Sequence, residues 1–188
     1  MKSTNNAVRC SLQLLQLSTP IGPVKVTGCD QGIHEIKLTP TDKAPCGKLR
    51  SVTIDGEERK QDLSGPLKEC LGWLESFFKD ASSIASLPLP PLHMTGIKSD
   101  TFVSKVLHTL AHDIPAGETI SYGGLAEKVG NPKACRAVGM AMRINQVPLV
   151  VPCHRVVNSD GSLGNYMSGK GVAIKKFLLD HEGAKVET

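Results

Sequence analysis

Long apolar runs are absent from this chain. No stretch approaches the roughly 20 apolar residues that cross a bilayer, so no membrane partner is expected. The opening residues, Met1-Lys2-Ser3-Thr4-Asn5-Asn6, carry no apolar segment of the secretory kind. An intracellular, soluble protein is the expectation. Aromatic residues are scarce at 4%, so the core must be built mostly from aliphatic side chains. Cysteine is too sparse for a disulfide scaffold. The six, at positions 10, 29, 46, 70, 135 and 153, are expected to be reduced and free for metal binding or catalysis. A large excess of one charge is also missing, since the net charge is only +4.

Its distribution is uneven, however. Between Gly130 and Lys176 the basic residues are Lys133, Arg136, Arg143, Arg155, Lys170, Lys175 and Lys176, against the single acid Asp160. A local basic surface of this kind suits a polyanion such as DNA. A solvated charged face is the competing explanation.

The chain has 188 residues, 40% of them apolar, enough for one large domain or two small ones. Leu87-Pro88-Leu89-Pro90-Pro91-Leu92 forbids helix and favours an extended connector. The boundary is placed within residues 87–98, dividing the chain into 1–92 and 93–188.

The first half reads as a small β-rich domain. Strands are expected at Ser11–Leu17, Val24–Thr27 and Ile33–Leu38, with a further one at Val52–Ile54. Turns fall at Thr19-Pro20-Ile21-Gly22 and at Gly28-Cys29-Asp30-Gln31-Gly32. Residues 40–62, including Cys46, are polar and irregular. Leu67, Leu71, Leu74 and Phe78 recur at helical spacing, predicting a helix over Gly65–Lys79 capped by Ser64.

The second half reads as mainly helical. Ser99 or Asp100 is expected to cap a helix reaching about His112. Ser121 caps a short helix, Tyr122–Val129. Gly130 ends it, and Asn131 caps the next with Pro132 in its first turn, running to about Ile144. Two short helices joined by a glycine-containing turn form a helix-turn-helix signature. A last helix spans about Gly171–His181, stopped by Gly183. The fold class is therefore α/β in composition, specifically α+β: a β-rich N-terminal domain and a mainly helical C-terminal one.

The chemically richest segment is Pro152-Cys153-His154-Arg155-Val156, which follows the apolar run Val147-Pro148-Leu149-Val150-Val151. A thiol delivered from an apolar wall is inert unless its pKa falls or a base takes its proton. His154 and Arg155 are the first candidates for those roles. A buried structural cysteine is the alternative for the pentapeptide taken alone.

These residues resemble a known family. Pro152-Cys153-His154-Arg155-Val156, preceded by Asn145-x-x-Pro148, is similar to the active-site motif of the O6-alkylguanine-DNA alkyltransferases. Ile120-Ser121-Tyr122, the stretch Gly130–Gly139, Gly164-Asn165-Tyr166 and Leu178-Leu179-x-x-Glu182-Gly183 extend the resemblance over nearly all of residues 99–183. The N-terminal half resembles the vertebrate form through Pro20-x-Gly22, Gly28-Cys29-x-x-Gly32-x-His34-Glu35-Ile36 and Pro88-x-Pro90-x-Leu92-His93.

The resemblance implies one-time transfer of an alkyl group from guanine O6, and less well from thymine O4, to Cys153. It implies a Glu182–His154–water–Cys153 relay. Tyr122 would donate to guanine N3, and Asn145 would brace the active-site turn. Pro148, Tyr166 and Ser168 would line the alkyl pocket. The carbonyls of Cys153 and Val156 would accept from the guanine amino group. The implied partner is double-stranded DNA, held in the minor groove with the damaged base rotated out. Arg136 would fill the gap, Tyr122 and Gly123 would lie at the DNA, and Asn131, Arg143 and Ser159 would contact phosphates. Cys10, Cys29, His34 and His93 match the family's structural zinc site; no organic cofactor is implied. A monomer resident in the nucleus is the matching expectation.

Three departures stand out. Tyr166-Met167-Ser168-Gly169-Lys170-Gly171 replaces the family's Tyr-Ser-Gly-Gly pattern, with extra residues in the loop that lines the alkyl pocket. Gly123 replaces a usual glutamine, and Val103 a usual threonine. The competing reading is a non-catalytic damage-sensing DNA-binding protein, against which the presence of Cys153 argues. A cysteine hydrolase would need turnover and an oxyanion hole, for which no match is found.

Overall fold

The computed structural model describes residues 10–40, 45, 51–56 and 58–186. Cys46 and the N-terminal hexapeptide lie outside the described residues. Alternating apolar residues build the first layer. Strand β1 (Gln13–Thr19) buries Leu15 and Leu17, and β2 (Gly22–Gly28) buries Val24 and Val26. The two pair antiparallel, with Thr19 opposite Gly22 closing the hairpin at Pro20-Ile21. Strands β3 (Ile33–Leu38) and β4 (Thr53–Asp55) complete an antiparallel sheet of order β3-β2-β1-β4. The first and fourth strands are shifted along the chain from their expected spans of Ser11–Leu17 and Val52–Ile54.

Helix α1 (Gly65–Lys79) has the expected span and lays Leu67, Leu71, Leu74, Phe77 and Phe78 on the sheet. Its expected cap is a correction. The Ser64 hydroxyl donates to the Cys29 carbonyl at 3.3 Å and makes no bond to the helix it precedes. The tie to the 28–32 turn is the use the tertiary structure finds for that hydroxyl.

The rest of the chain is mainly helical. Helix α2 (Phe102–Asp113) is capped by Thr101, whose hydroxyl accepts from the Ser104 amide at 3.2 Å, rather than by Ser99 or Asp100. A two-residue strand, β5 (Ile120–Ser121), leads into α3 (Tyr122–Lys128), and the Ser121 hydroxyl caps α3 through the Gly124 amide. After it, α4 (Cys135–Arg143) starts later than expected. Asn131 opens a turn whose carbonyl accepts from the Ala134 amide, so neither Asn131 nor Pro132 belongs to the helix. Strand β6 (Val156–Val157) pairs parallel with β5, and α5 (Val172–Glu182) ends at Gly183 in the left-handed conformation, φ 75°. The chain is thus α+β, and one buried apolar cluster runs from Leu15 to Leu178 through both halves.

Candidate active site and metal centre

The pairing of β5 with β6 sets the site. Ile120 lies opposite Val156 and Ser121 opposite Val157, which brings Tyr122 beside the turn carrying Cys153. That turn is a single 3-10 turn, Cys153–Arg155. The apolar run before it is buried but coiled: Leu149 has φ 77°, and the Val151 amide donates back to the Val147 carbonyl. A non-glycine residue in that region costs about 1 kcal/mol or more. Asn145 holds the loop from both sides. Its amide donates to the Val151 carbonyl at 2.8 Å, and its oxygen accepts from the Val147 amide at 3.1 Å.

Cys153 opens onto a cavity of about 990 Å³. Tyr122, Arg136, Gly139, Arg143, Asn145, Pro148, Tyr166, Met167 and Ser168 line it, together with Glu35 and Lys37 of β3. An added Cβ at Gly139 would meet nothing within 4 Å, so this side of α4 is open. Gly123, Asn131 and Ser159 are exposed but do not line the cavity. The lengthened 166–171 loop turns through three successive positive φ angles, at Met167, Ser168 and Gly169. The Cys153 thiol donates to the Tyr166 hydroxyl at 3.8 Å.

Behind the thiol lies a closed ionic cluster. His154 Nε2 is 2.8 Å from Glu182 Oε1, and both side chains are wholly buried. Arg155 donates to Glu182 through Nε and Nη2, both at 2.9 Å, and through Nη1 to the Ile114 carbonyl at 2.6 Å. Arg155 is therefore committed to Glu182, and is not the cation beside the thiol. Burial alone would raise the Glu182 carboxyl, but His154 and Arg155 outweigh it and hold it at about 2. Burial pushes His154 down against the pull of Glu182, keeping the imidazole neutral and able to accept a proton. Its Nδ1 has no protein partner. Burial also pushes the Cys153 thiol up, opposed by Asn145, Tyr166 and Lys175. A raised thiol needs a base before it can act as a nucleophile.

Two residues of the expected basic surface are interior. Arg155 is 4% exposed and Lys175 1%. The other five, Lys133, Arg136, Arg143, Lys170 and Lys176, remain exposed. Lys175 Nζ donates to the carbonyls of Val156, at 2.6 Å, and Leu163. The Val156 carbonyl, expected to face guanine, is thus already engaged. Nothing in the spacing of α5 marks Lys175 as buried. Helical lysines are ordinarily solvated, and only the packing of α5 under the 153–163 segment encloses it.

At the other end of β3, Cys10, Cys29, His34 and His93 converge with their donor atoms within 4.8 Å of one another. His93 Nδ1 lies 3.4 Å from Cys29 Sγ and 3.8 Å from Cys10 Sγ, and His34 Nε2 lies 3.1 Å from Cys29 Sγ. The edge of a tetrahedral zinc site with thiolate and imidazole ligands is about 3.6 Å, so the donor set fits a metal ion of that kind. Burial raises the Cys29 thiol, but hydrogen bonds from His93 and His34 outweigh it and bring it to about 6. Tertiary pairing assembles the set: the Ile33 amide donates to the Pro91 carbonyl, and the His93 amide donates to the Ile33 carbonyl.

Comparison with known proteins agrees with this geometry. Residues 15–91 match the family model described as 6-O-methylguanine DNA methyltransferase, ribonuclease-like domain. Residues 101–184 match the DNA binding domain of the same family. The methylated-DNA–protein-cysteine methyltransferase of Mus musculus is 42% identical over 181 residues, covering 94% of this chain and 84% of the mouse protein. That of Homo sapiens is 39% identical over 181 residues, covering 94% and 83%. A crystal structure of Mycobacterium tuberculosis OGT in complex with DNA superposes with a TM-score of 0.66 at 27% identity, covering 89% of this chain and 91% of that one. With both family models matched in order and such relatives along nearly its whole length, the chain belongs to the 6-O-methylguanine DNA methyltransferases.

Proposed function

We propose that this protein repairs DNA by moving the alkyl group of O6-alkylguanine, and less readily of O4-alkylthymine, onto Cys153 once per chain. The observation that carries the reading is Cys153 at the wall of the cavity, with the buried His154–Glu182 pair behind it and α4 beside it. Glu182 orients the imidazole through Nε2. Nδ1, which has no protein partner, is the nitrogen left to take the thiol proton through a water. The sulfur then bonds the alkyl carbon, and the carbon–O6 bond breaks with its electron pair on guanine. The proton lost by the thiol is returned to guanine, with Tyr122 as donor at N3. Thiol and alkylguanine become thioether and guanine. No water attacks the thioether, so the thiol is not regenerated.

DNA is the partner, and the damaged base must leave the stack to reach Cys153. Arg136, exposed on α4 at the cavity rim, is suited to replace it, and the open face at Gly139 suits the narrow minor groove. Arg143, Asn131 and Ser159 are exposed and suited to phosphates, and Gly123 is exposed in the first turn of α3. Pro148, Tyr166 and Ser168 form walls for the alkyl group. Cys10, Cys29, His34 and His93 would hold zinc. With four protein ligands that ion has no open position, so its contribution is structural. The division at residues 92 and 93, a monomer on DNA and residence in the nucleus complete the reading.

The test is the intact mass of the protein after excess O6-methylguanine duplex, beside Cys153→Ala. One methyl per chain that plateaus, and is absent from the variant, is the expected result. Binding without any mass change would leave a damage sensor instead.

A further inference from the structure

The cavity side of α4 carries a bulky apolar residue for which the transfer chemistry above has no use. Arg136, Gly139, Met140 and Arg143 recur at helical spacing, and all four line the cavity onto which Cys153 opens. Met140 stands between the two arginines and is 50% exposed. Ile144, one turn further along, is 43% exposed, and its amide donates to the Met140 carbonyl. Among the described residues, the other large apolar side chains that are exposed are Leu12, Leu14 and Leu87, all in the N-terminal half. Met142 and Met167 also line the cavity, but both are packed against the core. Met140 is the methionine of this cavity that is left open to solvent.

A single exposed methionine is ordinary. The setting of this one is not, because it lies between two cations on a helix of the segment matched as a DNA binding domain. The arginines suit phosphates, and a thioether adds nothing to that attraction. It gains by leaving water only against an apolar surface of the nucleic acid, such as the faces of unstacked bases or the sugar edges of the minor groove. Along the helix axis Arg136 and Met140 are about 6 Å apart, which spans roughly two base steps. With Arg136 in the position that the extruded base vacates, Met140 falls at the flanking base pair. Methionine suits that place, since its unbranched, polarisable chain follows a surface that changes shape. Gly139 beside it leaves room, because an added Cβ there would meet nothing within 4 Å.

We infer that Met140 is an apolar wedge for DNA: its side chain packs against the base step beside the damaged nucleotide and keeps that step open while Arg136 fills the gap. This inference rests on the reading of α4 as the helix at the DNA. The wedge offsets part of the cost of taking a base out of the stack, so it acts on transfer from a duplex far more than on transfer from a free base.

The experiment uses the full chain with Met140→Gln, which keeps length and loses apolarity, and Met140→Leu, which keeps apolarity. Circular dichroism checks folding. The DNA is a duplex with 2-aminopurine beside O6-methylguanine, a probe that brightens when its step unstacks. The wild type and Met140→Leu should brighten it on binding, and Met140→Gln far less. In single-turnover assays Met140→Gln should slow methyl transfer from the duplex about tenfold relative to free O6-methylguanine, and Met140→Leu should recover most of that. A mismatch flanking the lesion already weakens the step, so it should shrink the deficit. Equal brightening by the wild type and Met140→Gln would overturn the wedge, as would a deficit of the same size on duplex and free base. Arg136→Ala then separates the two readings: if it dims the probe where Met140→Gln does not, α4 stays at the DNA and the wedge alone falls. Self-association of the wild type that Met140→Gln abolishes would assign this face to a second copy of the chain and overturn the wedge too. A wild type that brightens the probe but takes no methyl group removes the acceptor reading and leaves the wedge standing.

Discussion

Cys153 draws its reactivity from neighbours that the chain brings from elsewhere. Taken alone, burial would keep its thiol protonated. The proposed base, His154, is next in sequence, but the carboxylate bonded to it is 28 residues away and is clamped by Arg155. Glu182 has a folded pKa of about 2, below its ordinary value of 4.5. Its contribution to stability is therefore complete above about pH 4.5 and is lost as pH falls towards 2. Denaturant titrations between pH 6 and pH 3 should show the wild type losing much of it. In Glu182→Gln this acid-dependent part should vanish, with lower stability at pH 7 because Arg155 stays buried without a counter-charge. Burial holds His154 below its ordinary value, so protonation removes it as a base only at a lower pH than for an ordinary imidazole. Single-turnover transfer rates should begin to fall only below that range, and a fall centred where an ordinary imidazole titrates would count against a buried neutral base. The pentapeptide, Glu182 and Asn145 stand out in the sequence because they match a motif in order. Arg155 as the clamp of Glu182, and Lys175 as a buried cation, do not, because the identity of a lysine or arginine carries no mark of what will cover it.

Among the elements, the edge of the sheet links the Cys10–Cys29–His34–His93 cluster to the candidate active site. The Ile36 amide donates to the Gln146 carbonyl at 2.8 Å, next to Asn145, while Ile33 pairs with the chain at 91–93. Gly32 allows that approach. An added Cβ there would lie 2.9 Å from the Pro91 oxygen, the Leu92 carbonyl carbon and the His93 nitrogen, all backbone atoms. Gly32→Ala should therefore force β3 away from His93, lower stability by more than about 1 kcal/mol and reduce bound zinc per chain. Calorimetry and metal analysis read the two effects. Helix periodicity marks α1, and the Ser121 cap with the Gly130 stop marks α3, since those signals are local. The start of α4 and the cap of α2 are less legible. Asn131, Ser99 and Asp100 have the right chemistry for caps, and which hydroxyl or amide side chain is used depends on where the chain enters the helix.

At the scale of the molecule, one core joins the sheet, α1 and the helices around Cys153. His181 of α5 donates to the Phe77 carbonyl of α1 at 2.6 Å, one residue before Glu182. Loosening the N-terminal half therefore costs stability of the whole molecule. Chelation should lower the melting temperature by several degrees, as loss of any ligand of the native state does, while methyl uptake at 25 °C still reaches one per chain. The exposed basic residues beside the cavity predict DNA binding that weakens steeply with salt. Arg136→Ala should slow transfer from a duplex far more than from free O6-methylguanine, because only the duplex requires a base to be replaced.

The sequence by itself determined the local elements, the reactive pentapeptide and the family. Each rests on residues adjacent in the chain or on motifs in fixed order. Tertiary structure alone decided which charges are interior and which donors are spent on backbone carbonyls, and it alone brings together the four cysteine and histidine side chains that the resemblance names. Those outcomes depend on contacts between segments as far apart as Cys10 and His93, or Arg155 and Glu182. Burial changes the chemistry of a side chain without changing its identity.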